Sequence, residues 1–203
     1  AVSKDLANWE DKGVALYPDI NEDKDGVYSG SAFVKDDTIY FFYTGNVKHE
    51  GNHDYILTGR EQNVILVTSK DGINFSEKKV LLRNTDFPDD MSLHVRDPKV
   101  WEEDGVYYMV LGARTTDNKG ILLYKSNDLY NWEFHSVPAG KLDDMGYMWE
   151  CPDTFKLSDK DVLMFSPQGM EAEGYKYNNV YQCGYAVGNF LNDKKELKLG
   201  EFV

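Results

Sequence analysis

A short polar motif that ends in a large aromatic residue occurs three times in this chain and constrains its fold more than any other feature. The copies occupy residues 3–9, 69–75 and 126–132, and each reads Ser-x-Asp-x-x-Asn followed by Trp or Phe. Asp and Asn side chains stabilise turns by hydrogen bonding to nearby backbone groups. Each copy is therefore predicted to be a polar turn, whose aromatic residue packs one structural unit against the next.

Between the motifs lie short segments rich in aromatic and β-branched residues, a composition that favours β-strands. Hairpin patterns cover residues 29–43, 96–111 and 150–165, each with a polar turn near its middle; third strands follow at 63–68, 120–125 and 180–187. No long segment has a 3.6-residue apolar periodicity. With the short strand after each aromatic turn, the sequence predicts four strands per unit.

A repeated four-stranded unit predicts an all-β fold, a β-propeller. In this interpretation the chain contributes the outer strand of one blade and then roughly three further four-stranded blades. A β-sandwich is the alternative, but it does not explain the repeated aromatic turn. Because an incomplete ring leaves unpaired sheet edges, and because Ala1 already reads as the middle of a folded element, we expect the chain to be a fragment of a longer protein.

Composition excludes several classes of function. The 203 residues include 35 acidic and 22 basic side chains, for a net charge of −13, which disfavours binding to nucleic acids or to an anionic membrane surface. No apolar stretch approaches the roughly 20 residues of a membrane span, and no export signal is visible. The two cysteines are expected to be free thiols, although one bridge stays possible. These features predict a cytoplasmic protein.

The first strands of neighbouring blades line the central channel of a propeller, so their starting residues are predicted to converge on one mouth. They carry Tyr28 and Ser29 in one unit, Arg96 and Asp97 in the next, and Glu150 in the third. Cleavage of a glycosidic bond uses two facing carboxyl groups. The residue pattern alone leaves two interpretations open, a catalytic carboxyl pair or a structural Arg-Asp ion pair beside a strand-capping glutamate.

Two motifs resemble metal sites but lack the required context. Residues 49–53 match the H-E-x-x-H zinc pattern, which works only on a helix, whereas this segment reads as a loop. Residues 21–26 resemble the start of a calcium loop, but the twelfth position is Ala32 where a glutamate is needed. We interpret the second segment as a solvated acidic turn and expect neither a metal nor a cofactor.

Four blocks in order along the chain resemble glycoside hydrolase family 32, which contains invertases, fructanases and sucrose-6-phosphate hydrolases. The blocks are Ser29–Ala32, Tyr43–Asn46, Arg96–Val100 and Trp149–Asp153. The resemblance covers nearly the whole chain. It implies a five-bladed propeller that hydrolyses β-fructofuranosides with retention of configuration, with residues 1–203 forming part of the N-terminal catalytic domain.

The resemblance also implies roles for individual residues. Glu150 matches the general acid and base, and Asp97 matches the aspartate that holds sugar hydroxyls and stabilises the transition state. An apolar wall beside Glu150 is expected to keep its proton, and Arg96 is expected to keep Asp97 ionised. The substrate-binding positions implied by the family blocks are Tyr28, Ser29, Arg96 and Trp149, the last as a wall of the pocket.

One departure from the family pattern is large. The family nucleophile is an aspartate in a Trp-Met-Asn-Asp-Pro-Asn-Gly block, and no such block occurs in this chain. We therefore expect the nucleophile, the first-blade inner strands, the closing blade and the C-terminal β-sandwich to lie outside it.

Several alternatives stay open at this point. They are a non-catalytic sugar-binding propeller, a transfructosylating enzyme and a propeller glycosidase acting on arabinose polymers. The residues do not distinguish sucrose, sucrose 6-phosphate and fructans as the small-molecule substrate, and the oligomeric state stays open.

Overall fold

The computed structural model describes residues 1–115, 120–139, 145–179 and 181–188, and strands dominate this part of the chain. The only helical segments in these ranges are 3-10 turns at Asn21–Asp23 and Asn84–Asp86, and neither is long enough to span a bilayer. The strands are β1 (Val2–Ser3), β2 (Trp9–Glu10), β3 (Val27–Lys35), β4 (Thr38–Lys48), β5 (Arg60–Ser69), β6 (Lys79–Leu82), β7 (Met91–Glu103), β8 (Val106–Thr115), β9 (Ile121–Ser126), β10 (Glu133–Ala139), β11 (Met148–Leu157), β12 (Lys160–Gln168) and β13 (Gly184–Gly188).

The strands form successive antiparallel sheets in which each strand pairs with the next one along the chain. Strands β3 to β6 form one four-stranded sheet, β7 to β10 form a second, and β11 to β13 form a three-stranded sheet. A short β1–β2 pair precedes them. These meanders are the blades predicted from the repeat, and the all-β propeller fold is confirmed. Residue 180, where the third strand of this blade is predicted to begin, and the segment after residue 188, where a fourth strand is predicted, lie outside the described residues.

The three polar motifs form the same hydrogen-bonded turn. In the second copy, Oδ1 of Asp71 accepts hydrogen bonds from the backbone N–H groups of Ile73 and Asn74 at 2.9 and 2.8 Å, and Oδ2 accepts one from the Asn74 side chain. Asp5 and Asp128 make the equivalent bonds. Donors to a carboxylate favour its charged form, and accordingly the pKa of all three aspartates lies below its ordinary value.

The aromatic residue of the third motif packs between blades, as predicted. Trp132 is 9% exposed, and its ring meets Phe42 of the preceding blade edge to face, with centroids 6.0 Å apart. Phe75 contacts Phe41 of its own blade and joins a cluster with Leu16. The aromatic residue of the first motif, Trp9, is 59% exposed in this chain.

Two apolar layers separate the three larger blades, and β9 contributes to both. Leu122 and Tyr124 face the β3–β6 sheet, where they pack in one cluster with Phe42. The alternate residues Ile121 and Leu123 face the β11–β13 sheet and cluster with its apolar residues. All four β9 side chains are at most 2% exposed. The two-residue period of a strand thus lets a single strand supply the core on both faces of its blade.

The acidic turn at residues 21–26 is not fully solvated, contrary to the sequence interpretation. Asp23 is completely buried, and its Oδ2 accepts a hydrogen bond from the hydroxyl of Tyr43 at 2.8 Å and forms an ion pair with Lys78. Its Oδ1 caps the backbone N–H groups of Asp19 and Ile20. A buried carboxylate needs such partners, and Lys78, 55 residues further along the chain, could not be assigned to it from local sequence.

We expect Trp132→Ala to lower the free energy of unfolding by about 3–5 kcal/mol, because it removes a large buried ring and leaves a cavity between two blades. Phe134→Ala is a matched control on the same blade, since Phe134 is 45% exposed and should cost less than half as much. Urea unfolding of the purified protein measures both losses. Equal losses would contradict the role of Trp132 between the blades.

Candidate active site

The first strand of each larger sheet, which is the innermost strand of its blade, contains at one point one more residue than the partner strand opposite it. The extra residue occurs at a corresponding position in all three strands. In β3 the pairing with β4 shifts between Tyr28 and Gly30. In β7 it shifts between Arg96 and Lys99, and in β11 between Glu150 and Asp153. An extra residue of this kind is a β-bulge, which locally breaks the alternation of side chains between the two faces of a sheet.

The three bulges let consecutive side chains face one cavity. In a regular strand, neighbouring residues point to opposite faces, but here each bulge sends a pair of neighbours to the same cavity of about 510 Å³. Asp97 and Cys151 adopt left-handed backbone conformations, with φ of 63° and 47°, to achieve this. The cavity is lined by Val27, Tyr28, Ser29, Arg60, Arg96, Asp97, Glu150, Cys151, Ser166, Tyr181 and Gln182.

Asp97 connects three blades. It is 5% exposed, and its backbone N–H donates a hydrogen bond to Oγ1 of Thr44 on β4 at 2.8 Å. Its carboxylate Oδ2 accepts a hydrogen bond from the backbone N–H of Cys151 on β11 at 2.9 Å. These two bonds fix the carboxylate at the point where the three blades meet the cavity.

Arg96 lies between the two predicted catalytic carboxylates. Its Nη2 donates to Oε1 of Glu150 at 2.7 Å, and its Nε lies 3.8 Å from Oδ2 of Asp97. Arg96 is 6% exposed, so its charge requires compensation. The structure therefore brings Asp97 and Glu150, 53 residues apart in sequence, to a shared cation in one cavity.

The protonation of Asp97 differs from the sequence expectation. Burial raises the pKa of Asp97, and this effect outweighs the Cys151 N–H group and the Arg96 guanidinium, which both favour the ionised form. Glu150 across the cavity raises it further. The expectation that Arg96 keeps this carboxyl ionised is therefore incomplete, because Arg96 only opposes a stronger effect of burial.

Trp149 does not line the cavity, contrary to expectation. Its ring is 4% exposed and stacks on Phe165 in the core, with centroids 4.1 Å apart, while Nε1 donates to the carbonyl of Met145. Trp149 comes just before the bulge, where the strand still alternates regularly, so it faces away from Glu150. Met148, the residue before it, is fully buried, so the apolar wall expected beside Glu150 is not formed by these two residues.

The remaining predicted contacts do reach the cavity. Tyr28 and Ser29 line it from β3. Cys151 lines it as well, and burial raises the pKa of its thiol to about 11, so at neutral pH the thiol is protonated and a poor nucleophile. Neither Cys151 nor Cys183 forms a disulfide in the structure.

Sequence reasoning missed two side chains that hold Arg96. Gln62 accepts hydrogen bonds at Oε1 from Nη1 of Arg96 and from the backbone N–H of Val95, at 3.3 and 3.2 Å. His94 contacts the same guanidinium through Nδ1 at 2.7 Å. His94 could have been found from its spacing, because residues two apart on a strand share a face. Gln62 lies on another blade and gives no such indication.

The contact between His94 and Arg96 fixes the protonation of the imidazole. A guanidinium has only donors, so Nδ1 of His94 must be the acceptor and the ring is neutral, with its proton on Nε2. Burial, followed by the charges of Arg96, Arg60 and Arg114, lowers the pKa of His94 to about 4. A neutral ring at physiological pH is what allows it to orient Arg96.

The HExxH-like residues 49–53 lie in an irregular loop. His49 contacts Oε1 of Glu61 through Nε2 at 2.9 Å. In the part of the chain that the structure describes, no group of three or more His, Cys, Asp or Glu side chains is placed to hold a metal ion.

We expect NMR titration to show a neutral His94 ring, protonated on Nε2, down to about pH 4. The unfolded chain takes up this proton near pH 6.5, so the contribution of His94 to stability falls as the pH drops from 6.5 towards 4. The advantage of wild type over His94→Asn in free energy of unfolding should shrink across that window. A ring that titrates near 6.5, or that carries its proton on Nδ1, would contradict the assignment.

Comparison with known proteins identifies the family. Residues 1–202 match the N-terminal domain of glycosyl hydrolases family 32. The chain is 47% identical to the sucrose-6-phosphate hydrolase of Bacillus subtilis over 205 aligned residues, which cover 98% of the chain and 41% of that enzyme. It is 42% identical to the sucrose-6-phosphate hydrolase of Escherichia coli, covering 100% of the chain and 41% of that enzyme.

Solved structures agree with this match. The sucrose-6-phosphate hydrolase of Lactobacillus gasseri aligns with a TM-score of 0.79 and 29% identity, over 97% of this chain and 39% of that one. The family 32 β-fructofuranosidase of Bombyx mori, solved as a mutant in complex with sucrose, aligns with a TM-score of 0.76 and 38% identity, over 87% and 37%. The chain thus spans about two fifths of the length of the curated relatives it matches. It belongs to glycosyl hydrolase family 32.

Proposed function

We propose that the protein containing this chain is a retaining β-fructofuranosidase that releases fructose from sucrose or sucrose 6-phosphate. The observation that carries the proposal is the joint placement of Asp97 and Glu150 in one cavity, bridged by Arg96. Retaining cleavage of a glycosidic bond is a carboxylate reaction with an oxocarbenium-like transition state. The names of the bacterial relatives support a sucrose-type substrate.

Glu150 is proposed as the general acid and then the general base. Its side chain is 25% exposed, which leaves it accessible to a sugar in the cavity. Arg96 contacts Oε1, so we assign the proton to Oε2. In the first step this oxygen protonates the leaving-group oxygen, and in the second it takes a proton from the attacking water.

Asp97 is proposed to stabilise the transition state. Its position at the junction of three blades is fixed by the bonds to Thr44 and Cys151. A carboxylate held in a water-poor site interacts strongly with positive charge that develops on the fructosyl ring, and it needs no reorganisation to do so. Its raised pKa means that this contribution is lost on acidification at a higher pH than for an ordinary aspartate.

The nucleophile is proposed to come from outside these 203 residues. The family block that carries the nucleophilic aspartate is not found in the sequence. The chain then supplies the acid/base, the stabilising carboxylate and part of the sugar-binding wall. We also propose that the protein works in the cytoplasm, because a charged sugar phosphate that is formed inside a cell cannot cross the bilayer unaided and must be cleaved there; cell fractionation tests this location.

We expect Glu150→Gln in the full-length protein to lower kcat for sucrose by roughly 10²- to 10⁴-fold, because an amide cannot donate or accept the transferred proton. Asp159→Asn is the matched control, since Asp159 lies on the hairpin turn of the same blade with its side chain 82% exposed. That variant should keep its activity. Near-normal turnover by Glu150→Gln would remove Glu150 from the proposed role.

We expect the isolated 203-residue chain to release no fructose from sucrose or sucrose 6-phosphate, because it lacks the nucleophile. The full-length protein is the positive control. If the full-length protein binds these sugars without cleaving them, the chain belongs to a sugar-binding propeller instead. If it transfers fructose to a second sugar faster than to water, it is a transfructosylase.

A further inference from the structure

Arg60 is a cation in the cavity wall that has no carboxylate partner among the residues the structure describes. Arg96 is matched by Glu150 and Asp97. No carboxylate of the described residues lies within ion-pairing distance of Arg60, and its buried Nε has no hydrogen-bond partner there. Partial burial and the neighbouring charge of Arg96 both lower the pKa of Arg60, as expected for an uncompensated cation. This corner of the cavity is therefore electropositive.

A second cation lies next to Arg60, at the paired position on the neighbouring strand. In the β4–β5 register, Lys48 is the partner of Arg60, and like charges directly opposite each other destabilise a sheet. The Lys48 ammonium lies over the ring of Tyr55, and no carboxylate in the described ranges forms an ion pair with it. In a chain with 35 acidic and 22 basic residues, two adjacent cations that have no carboxylate partner in the described part of the chain are a costly arrangement. A bound anion would remove that cost.

Arg60 lines the same cavity as the two candidate catalytic carboxylates, Asp97 and Glu150. Thr44, which contacts Asp97, pairs with Val64 on β5, and β5 runs from Val64 through Gln62 to Arg60. Gln62 holds Arg96, and Arg60 lies two residues further on the same face, about 7 Å beyond. A fructosyl group against Asp97 and an aglycone next to Glu150 would therefore occupy the cavity that Arg60 also lines.

We propose that Arg60 binds the phosphate group of sucrose 6-phosphate and selects it over free sucrose, with Lys48 strengthening the local positive potential. The inference rests on the proposed function. The phosphate of this substrate sits on the glucosyl leaving group, across the ring from the bond that is cleaved. A guanidinium recognises phosphate through paired, charge-assisted hydrogen bonds, and Arg60 has no competing carboxylate among the described residues.

The test compares the ratio of kcat/KM for sucrose 6-phosphate to that for sucrose in the full-length enzyme. Loss of charge-assisted hydrogen bonds should lower this ratio roughly 10- to 100-fold in Arg60→Gln. Lys48→Gln should lower it less, and Arg60→Lys should restore part of it. Arg83→Gln is the control, because Arg83 is a 55% exposed arginine paired with Glu22 at 2.7 Å, and it should leave the ratio unchanged.

Two kinetic outcomes would overturn the assignment. One is an unchanged ratio in Arg60→Gln, and the other is a wild-type enzyme that does not prefer sucrose 6-phosphate. Both leave the fructosidase proposal intact.

If neither sugar is cleaved, the proposed function fails, and calorimetry still tests the site through the binding of glucose 6-phosphate. Wild type should bind it more tightly than glucose, and Arg60→Gln should abolish the difference; equal binding by wild type would refute the site. Circular dichroism checks that each variant is folded.

Discussion

The site depends on one geometric constraint, the alternation of side chains along a β-strand. In an uninterrupted β7, Arg96 and Asp97 would point to opposite faces, and one of them would be buried in the apolar layer between blades. The extra residue removes this conflict at the cost of a left-handed conformation at Asp97, which aspartate tolerates better than most residues. Pro98 follows directly, at a place where the broken ladder needs no backbone donor.

The same bonds that position the candidate catalytic residues also hold the blades together. Asp97 ties β7 to β4 through its N–H group and to β11 through its carboxylate. Arg96 adds contacts from Gln62 on β5 to Glu150 on β11. At the cavity end of each interface between blades, these polar contacts therefore hold the blades together, and the apolar layers do so along the rest of the interface. A substitution that disturbs the charge balance around Arg96 would affect both the geometry of the candidate site and the packing of neighbouring blades.

Local sequence is enough to predict the blades. The repeated Ser-x-Asp-x-x-Asn turn contains its own hydrogen-bond partners, so its structure needs no distant residue. Repetition then aligns the inner strands and leads to Asp97 and Glu150 without any coordinates. This route works because a propeller converts regular spacing along the chain into proximity around an axis.

The sequence-based predictions fail where a side chain's position is determined by contacts with distant residues or by an interruption of the two-residue alternation of a strand. The family resemblance implies that Trp149 lines the pocket, whereas the bulge begins only after this residue and leaves its ring in the core. Asp23 looks solvated in the sequence because its partners, Tyr43 and Lys78, come from other strands and loops. Gln62 gives no sign of its role because Arg96, which it holds, belongs to another blade.

The bulges also suggest how such a ring can acquire new chemistry. A single inserted codon in an innermost strand turns one more side chain towards the axis, while the alternation on either side resumes and the packing layers stay as they were. A plain duplicated blade is therefore one small genetic step from a blade that takes part in catalysis. Diversification of the active centre does not require redesign of the scaffold around it.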